Sequence, residues 1–295
     1  MSRVVGIDLG GTSAKGIVVT GEGVTVGTDV EAFDDLQPLQ FAEAVRRLIA
    51  RLESIHGSAD ALGLSAPGLA ASDGRSIAFM PGRLAGIEGL VWEEHLGRQS
   101  PVPVLNDAQA ALLGEIWQGA AQGSRNAILL TLGTGVGGAA VVDGHLLRGA
   151  IGRAGHLGHI CLDMTAPVDV TNLPGSLEHF VGNANIRERT GGQFETTHAL
   201  VQAVVAGDPT AVGVWHQSIR ALACGIASLI NVLDPEVVII GGGIARAGEV
   251  LFTPLRSELA PIEWCPGGRP VPLVPARLGE FAGALGAAYH ALRSR

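Results

Sequence analysis

Over the first third of the chain, short apolar runs alternate with amphipathic stretches. Residues 4–7, 16–20 and 24–29 read as strands joined by Gly-Gly-Thr-Ser and Gly-Glu-Gly turns. Between residues 39 and 55, Phe41, Val45, Leu48, Ile49 and Leu52 recur at helical spacing among Arg and Glu. Residues 61–65 and 102–105 read as buried, parallel-type strands, because each run is apolar throughout rather than alternating. A helix is predicted over 107–118, with Asp107 near its N-cap and Glu115 outside its apolar stripe. Near residue 127 the opening pattern returns: an apolar strand at 127–132, a Gly/Thr turn, then a strand at 139–142. Further on come a long apolar helix at 219–233, a buried strand at 236–240, a Gly-Gly-Gly turn into another helix, and an Ala-rich closing helix at 281–292. The Pro-rich stretch 261–275 reads as irregular.

A supersecondary unit that occurs twice implies a duplicated α/β fold. The boundary falls between about residues 116 and 126, giving an N-terminal domain at 1–118 and a C-terminal domain at 119–281, with helix 282–293 packing back on the first. A length of 295 residues suits two such domains. The net charge of −8 and the lack of a basic stripe argue against a nucleic-acid partner. No apolar run reaches membrane-spanning length and no signal peptide precedes the first strand, so a cytoplasmic protein is expected. Cys161, Cys224 and Cys265 are too few and too scattered for a disulfide framework or a metal cluster.

Two compositional oddities bear on chemistry. The chain has 43 glycines, and of its 20 cationic side chains only Lys15 is lysine. Glycines gather at three turns that each leave a strand: Gly10-Gly11-Thr12, Gly133-Thr134-Gly135 and Gly241-Gly242-Gly243. A nucleotide's phosphates need several backbone N–H donors at close range, an approach that a Cβ would block. One such turn is ordinary loop chemistry; three of them, in two similar halves, point to a nucleotide. A dinucleotide fold is disfavoured, because no Gly-x-Gly-x-x-Gly joins a strand to a helix.

Around these turns lie the candidate reactive groups. Asp8 ends the first strand beside Gly10, Gly11, Thr12 and Lys15, either accepting turn amides or holding Mg²⁺ through water near phosphates. Lys15 is then a phosphate cation or a solvated charge. Asn106-Asp107 joins a buried strand to a helix, so Asp107 reads equally as an N-cap and as a general base for an attacking hydroxyl. His156 and His159 follow a Gly-rich loop at a spacing that alone is weak evidence for a metal. Glu178 has the position of an ordinary helix-start acid.

Taken in order, Asp8–Lys15, Pro67-Gly68, Asn106-Asp107, 132–138, 155–159 and 241–243 resemble the ROK family of bacterial sugar kinases, in the actin-like/hexokinase ATPase superfamily. The resemblance spans nearly the whole chain. It implies two ribonuclease-H-like α/β domains with a cleft between them for ATP, Mg²⁺ and a sugar, usually in a homodimer. It also implies that Asp107 is the general base, and that Gly68, Asn106, His156, His159 and Glu178 line the acceptor. The nucleotide would fall to Asp8, Gly10, Gly11, Thr12, Lys15, Gly133, Thr134, Gly135 and Gly241–Gly243. This chain departs from the family pattern in three places. His156 stands where the family's Glu-x-Gly-His has Glu, losing a carboxylate's two acceptor oxygens. The family's zinc-binding Cys-x-Cys-Gly-x-x-Gly-Cys is replaced by residues 169–176 without cysteine, so no zinc is expected and His159 needs another partner, Asp163 or Asp169. The Pro-Asn of the sugar loop is Pro81-Gly82. The expected activity is ATP-dependent phosphorylation of a hexose or similar polyol, glucokinase-like. The alternatives are a cyclitol or C7-cyclitol (valiolone-type) kinase and a non-catalytic sugar-binding relative. The family's repressors begin with a winged helix-turn-helix, whereas this acidic chain opens on a strand.

Overall fold

The computed structural model describes residues 2–35 and 37–294. The chain forms two compact units, one of Met1–Gly123, Leu146–Ala154 and Ala276–Arg295, the other of Ser124–His145 and Gly155–Pro275.

In the first unit, strands β1 (Arg3–Leu9), β2 (Ser13–Thr20) and β3 (Thr25–Ala32) form an antiparallel meander, and helix α1 (Gln40–His56) follows. Then come β4 (Ala61–Ala66), the small pair β5 (Leu69–Ala70) and β6 (Ile77–Phe79), helix α2 (Trp92–Leu96), β7 (Val104–Asn106) and helix α3 (Asp107–Gln118). The sheet order is β3-β2-β1-β4-β7, with β4 and β7 parallel to β1. The two-residue period of β1 explains the layering. Val5, Ile7 and Leu9 join one apolar core with Phe41, Val45 and Leu48 of α1, whose stripe is buried where the spacing predicts it. Val4 turns to the other face, toward Ala284 and Ala288. There the closing helix α9 lies so near the sheet that a Cβ at Gly6 or Gly63 would run into its carbonyls. Asp8 shares that face, and a side chain at Gly283 of α9 would strike its carboxylate.

The second unit repeats the plan. Strands β8 (Ala127–Leu132), β9 (Val136–Val142) and β10 (His145–Leu146) precede four helices: α4 (Leu177–Val181), α5 (Ile186–Arg189), α6 (Thr197–Val205) and α7 (Pro209–Leu233). After them come β11 (Val237–Gly241), α8 (Glu249–Leu259) and β12 (Leu273–Pro275), and the chain ends with α9 (Ala282–Arg293). Sheet order is β10-β9-β8-β11-β12, the counterpart of the first sheet strand for strand.

Some expectations are corrected. The long helix starts at Pro209, with the Asp208 side chain accepting from the Ala211 amide at 2.8 Å, a cap and Pro-N1 start well before the apolar stretch. The Pro-rich segment is not wholly irregular, because Leu273–Pro275 pairs parallel with β11. The N-cap of α3 is Asn106 rather than Asp107, completed by Gln109 as a capping box. Glu115 is fully buried. Its Oε1 accepts from the backbone amides of Arg277 and Leu278, and its Oε2 from that of Ala120, so it ties the end of α3 to the chain entering α9. No described helix is long and apolar enough to cross a membrane.

Candidate active site

Parallel pairing places Asp8 opposite Ser65 of β4, and antiparallel pairing places it opposite Lys15 of β2. Ser65 Oγ donates to Asp8 Oδ1 at 2.7 Å. Burial pushes the Asp8 carboxyl up to about 6, aided by the charge of Asp107 and opposed by the Ser65 hydrogen bond and by Lys15. A half-buried carboxylate in that condition is short of positive charge. Lys15 supplies little of it, because its ammonium is paired with Glu280 at 3.1 Å. The Gly10-Gly11-Thr12 turn is closed by the Gly10 amide donating to Ser13 O at 2.8 Å.

Where β7 ends, Asn106 is committed: its Oδ1 accepts from the Ala108 amide at 3.0 Å and its Nδ2 donates to Gly68 O at 2.9 Å. Gly68 itself has φ +99° and faces Phe79 O so closely that a side chain would not fit. Asp107, the first helical residue, is exposed. The structure thus gathers Asp8, the first glycine turn, Gly68, Asn106 and Asp107 in the first unit.

In the second unit, the turn at Gly133-Thr134-Gly135 is tied to the end of α4. The Asn183 amide donates to Gly133 O at 3.0 Å and that of Ala184 to Thr134 O at 2.9 Å. Glu178 Oε2 accepts from the Val136 amide at 2.9 Å and lies against Gly135, where a Cβ would collide with the carboxylate. Gly135 is therefore needed for Glu178, a reason the sequence does not reveal. Gly133 and Gly243, by contrast, face open space, and both line one cavity of about 640 Å³ with Thr134. Val201 and Val205 of α6, Ile244 and Val250 give that cavity an apolar side. Thr197, also in its lining, has a buried Oγ1 with no hydrogen-bond partner among the described residues. The α6 wall was missed in the sequence, although its valines recur at helical spacing. Gly241 is buried as the last residue of β11, and Gly242 adopts φ +87° against Leu132.

The sequence profile of the ROK family matches residues 4–294. The chain belongs to the ROK family. It is 30% identical to a glucokinase of Thermotoga maritima over 97% of this chain and 96% of that one. Among solved structures, a ROK hexokinase from Thermus thermophilus superposes with a TM-score of 0.86 at 34% identity, covering 99% of this chain and 98% of that one. A ROK-family glucokinase from Streptomyces griseus, solved with glucose and AMPPNP, gives 0.80 at 27% identity over 99% and 100%. The two like-ordered α/β sheets are thus the actin-like ATPase fold of ROK sugar kinases.

Against the ROK pattern, the segment without cysteines contains a hydrogen-bonded knot. His159 ends a single 3-10 turn, and its Nδ1 lies 2.8 Å from Asp169 Oδ2. Asp169 Oδ1 accepts from the Thr171 amide and hydroxyl, both at 2.7 Å, and from the Leu173 amide at 3.2 Å. Burial raises this carboxyl's pKa, but the hydrogen bonds from Thr171, His159 and Ser176 together outweigh it and hold the group well below the usual carboxylate range. Asp163, the other candidate partner, turns instead to Thr165. An ionised Asp169 accepts from Nδ1–H and so orients the imidazole ring of His159. His156 occupies the N-cap position of that same 3-10 turn, without a side-chain capping hydrogen bond.

Proposed function

We propose that this ROK protein is an ATP-dependent kinase that phosphorylates a hydroxyl of a sugar or sugar-like polyol. The observation that carries the reading is the second unit's cavity, into which two of the three glycine turns open beside an apolar wall. Glycines with open space at Gly133 and Gly243 let phosphate oxygens approach the backbone, the valines suit the face of a purine, and the unpartnered Thr197 hydroxyl suits a nucleoside polar atom. The glucose and AMPPNP held by the Streptomyces griseus relative match this pairing of ligands.

Within the proposal, the second unit carries the nucleotide through Gly133, Thr134, Gly135 and Gly241–Gly243. The first unit carries the reacting end through Asp8, Gly10, Gly11, Thr12, Lys15 and Asp107. The two units are read as the N- and C-terminal domains, with α9 belonging to the first. Asp107, exposed and held on α3, takes the proton of the attacking hydroxyl. Gly68, Asn106, His156, His159 and Glu178 orient the acceptor. Asn106 acts chiefly by fixing the Gly68 loop, since both ends of its amide are engaged. The hard-oxygen donor Asp8, raised in pKa by burial and by the charge of Asp107, fits a Mg²⁺ held through water. Bound there, Mg²⁺ would neutralise phosphate charge, while the protein contributes position and electrostatics. His156, in place of the family's Glu, favours a carbocyclic acceptor such as a cyclitol as the second reading.

An ATP-consumption screen over hexoses, N-acetylhexosamines, inositols and C7 cyclitols tests this directly. Mg²⁺-dependent turnover with at least one acceptor is expected. No turnover with any of them, while sugars still raise the melting temperature, would make the protein a non-catalytic binder. Asp169→Asn should raise the acceptor KM about tenfold, the worth of one charge-assisted hydrogen bond, and change kcat little. If KM is unaltered while melting stays cooperative, Asp169 does not orient His159.

A further inference from the structure

Lys15, which the sequence leaves open as a phosphate cation or a solvated charge, is paired with Glu280. Another cation stands at that turn. A Cβ built on Gly11 would lie 3.5 Å from Arg83 Nη1 and 3.7 Å from its Cζ, so the guanidinium faces Gly11 across the space of about one methyl group. Arg83 is exposed, and it makes no hydrogen bond or ion pair among the described residues. Elsewhere several cations that approach another element meet carboxylates, as Arg51 meets Asp29, Arg47 meets Glu31 and Arg98 meets Glu53. Arg83 reaches the turn and meets none.

The backbone that carries it is anchored. Leu84 is fully buried at φ +51°, a strained conformation for a leucine, and its amide donates to Asp35 Oδ2 at 2.7 Å. Leu84 O in turn accepts from the Ile87 amide at 2.9 Å. The residue before Arg83, Gly82, has φ +79° and open space around it. An anchored backbone thus presents an unpaired, rigidly forked donor set to a turn made of glycine.

We propose that Arg83 is a catalytic residue whose guanidinium binds the oxygens of the phosphoryl group in flight over Gly10-Gly11-Thr12; this rests on the kinase reading above. In that transfer, the bond from the γ-phosphorus to the bridging oxygen breaks with its electron pair left on ADP. The acceptor oxygen bonds to phosphorus, and its proton passes to Asp107. Arg83 keeps its own proton and supplies charge and two parallel donors, a geometry that lysine cannot copy.

The test compares wild type, Arg83→Ala and Arg83→Lys with the best acceptor from the screen. It measures kcat, both KM values, and the affinity for Mg·ADP with and without fluoroaluminate, a mimic of the planar phosphoryl group. Arg83→Ala should lower kcat by roughly 100-fold or more, with acceptor KM changed less than threefold. The tightening of Mg·ADP by fluoroaluminate seen in wild type should be lost, and Arg83→Lys should recover only part of each. Unchanged kcat in an active enzyme overturns the Arg83 assignment alone. So does a raised acceptor KM with kcat intact, which would make Arg83 an acceptor-binding residue. A wild type inactive with every acceptor overturns the kinase reading, and the Arg83 role with it.

Discussion

Asp107→Asn is expected to lower kcat by roughly 10²- to 10⁴-fold, the worth of a positioned general base, while acceptor binding changes only a few-fold. The substitution keeps the shape of the side chain and removes only its basicity. In the sequence, Asp107 served equally well as the cap of α3, and a lost cap would confuse the result by destabilising the helix. The structure separates the two roles. Asn106 accepts the Ala108 amide and Gln109 closes the box, so the start of the helix does not depend on the Asp107 charge. Asp107 Oδ1 does lie 2.8 Å from the Ala108 amide, a contact that an Asn oxygen can keep. Melting temperature should therefore not fall while turnover collapses. Calorimetric binding of the acceptor beside single-turnover kinetics makes the comparison, and turnover equal to wild type would remove Asp107 from the reaction.

Legibility of the fold followed the locality of its signals. Strands β1, β2, β4 and β8 and helices α1 and α3 are written in runs whose period is set by adjacent residues, and the repeat of strand, glycine turn and strand is local too. Glu115 was misread because a lone charge between apolar positions looks solvated. What buries it is a set of amides at Ala120, Arg277 and Leu278, two of them more than 150 residues away. β12 was missed because a strand of only three residues follows Pro272 and itself ends on Pro275, and only its pairing with β11 defines it.

The candidate site divides the same way. Motif residues stand out because glycine and carboxylate chemistry is compressed into a few consecutive positions. Their partners do not stand out. Ser65 pairs with Asp8 through strand register, Gly283 makes room for that carboxylate from a helix near the chain's end, and Arg83 reaches Gly11 from a loop 72 residues on. The glycine excess itself has two causes. Gly133 and Gly243 open onto a cavity, whereas Gly6, Gly63 and Gly286 let backbones approach where no Cβ would fit.

Asp8→Asn should make the ligand-free protein more stable at neutral pH and abolish its Mg²⁺-dependent turnover. The folded-state carboxyl titrates at about 6 against 3.8 in the unfolded chain, so between those values the folded state binds more protons. Stability then falls as pH rises toward 6 and levels off above it. The shift of about 2 units corresponds to at most about 3 kcal/mol, held against the ionised protein at neutral pH. Asparagine has no charge to desolvate, feels no repulsion from Asp107, and can still accept from Ser65 Oγ. Melting curves without metal should therefore show the variant well above wild type at pH 7.5, with the gap narrowing from pH 6 to pH 4 as Asp8 takes up its proton. Added Mg²⁺ and nucleotide should raise the wild-type curve more than the variant's. Parallel curves across that pH range would mean that Asp8 carries no such penalty. A gap that closes identifies Asp8 as a group whose charge costs the fold stability, and a cation at this carboxylate relieves that cost only when the site is loaded.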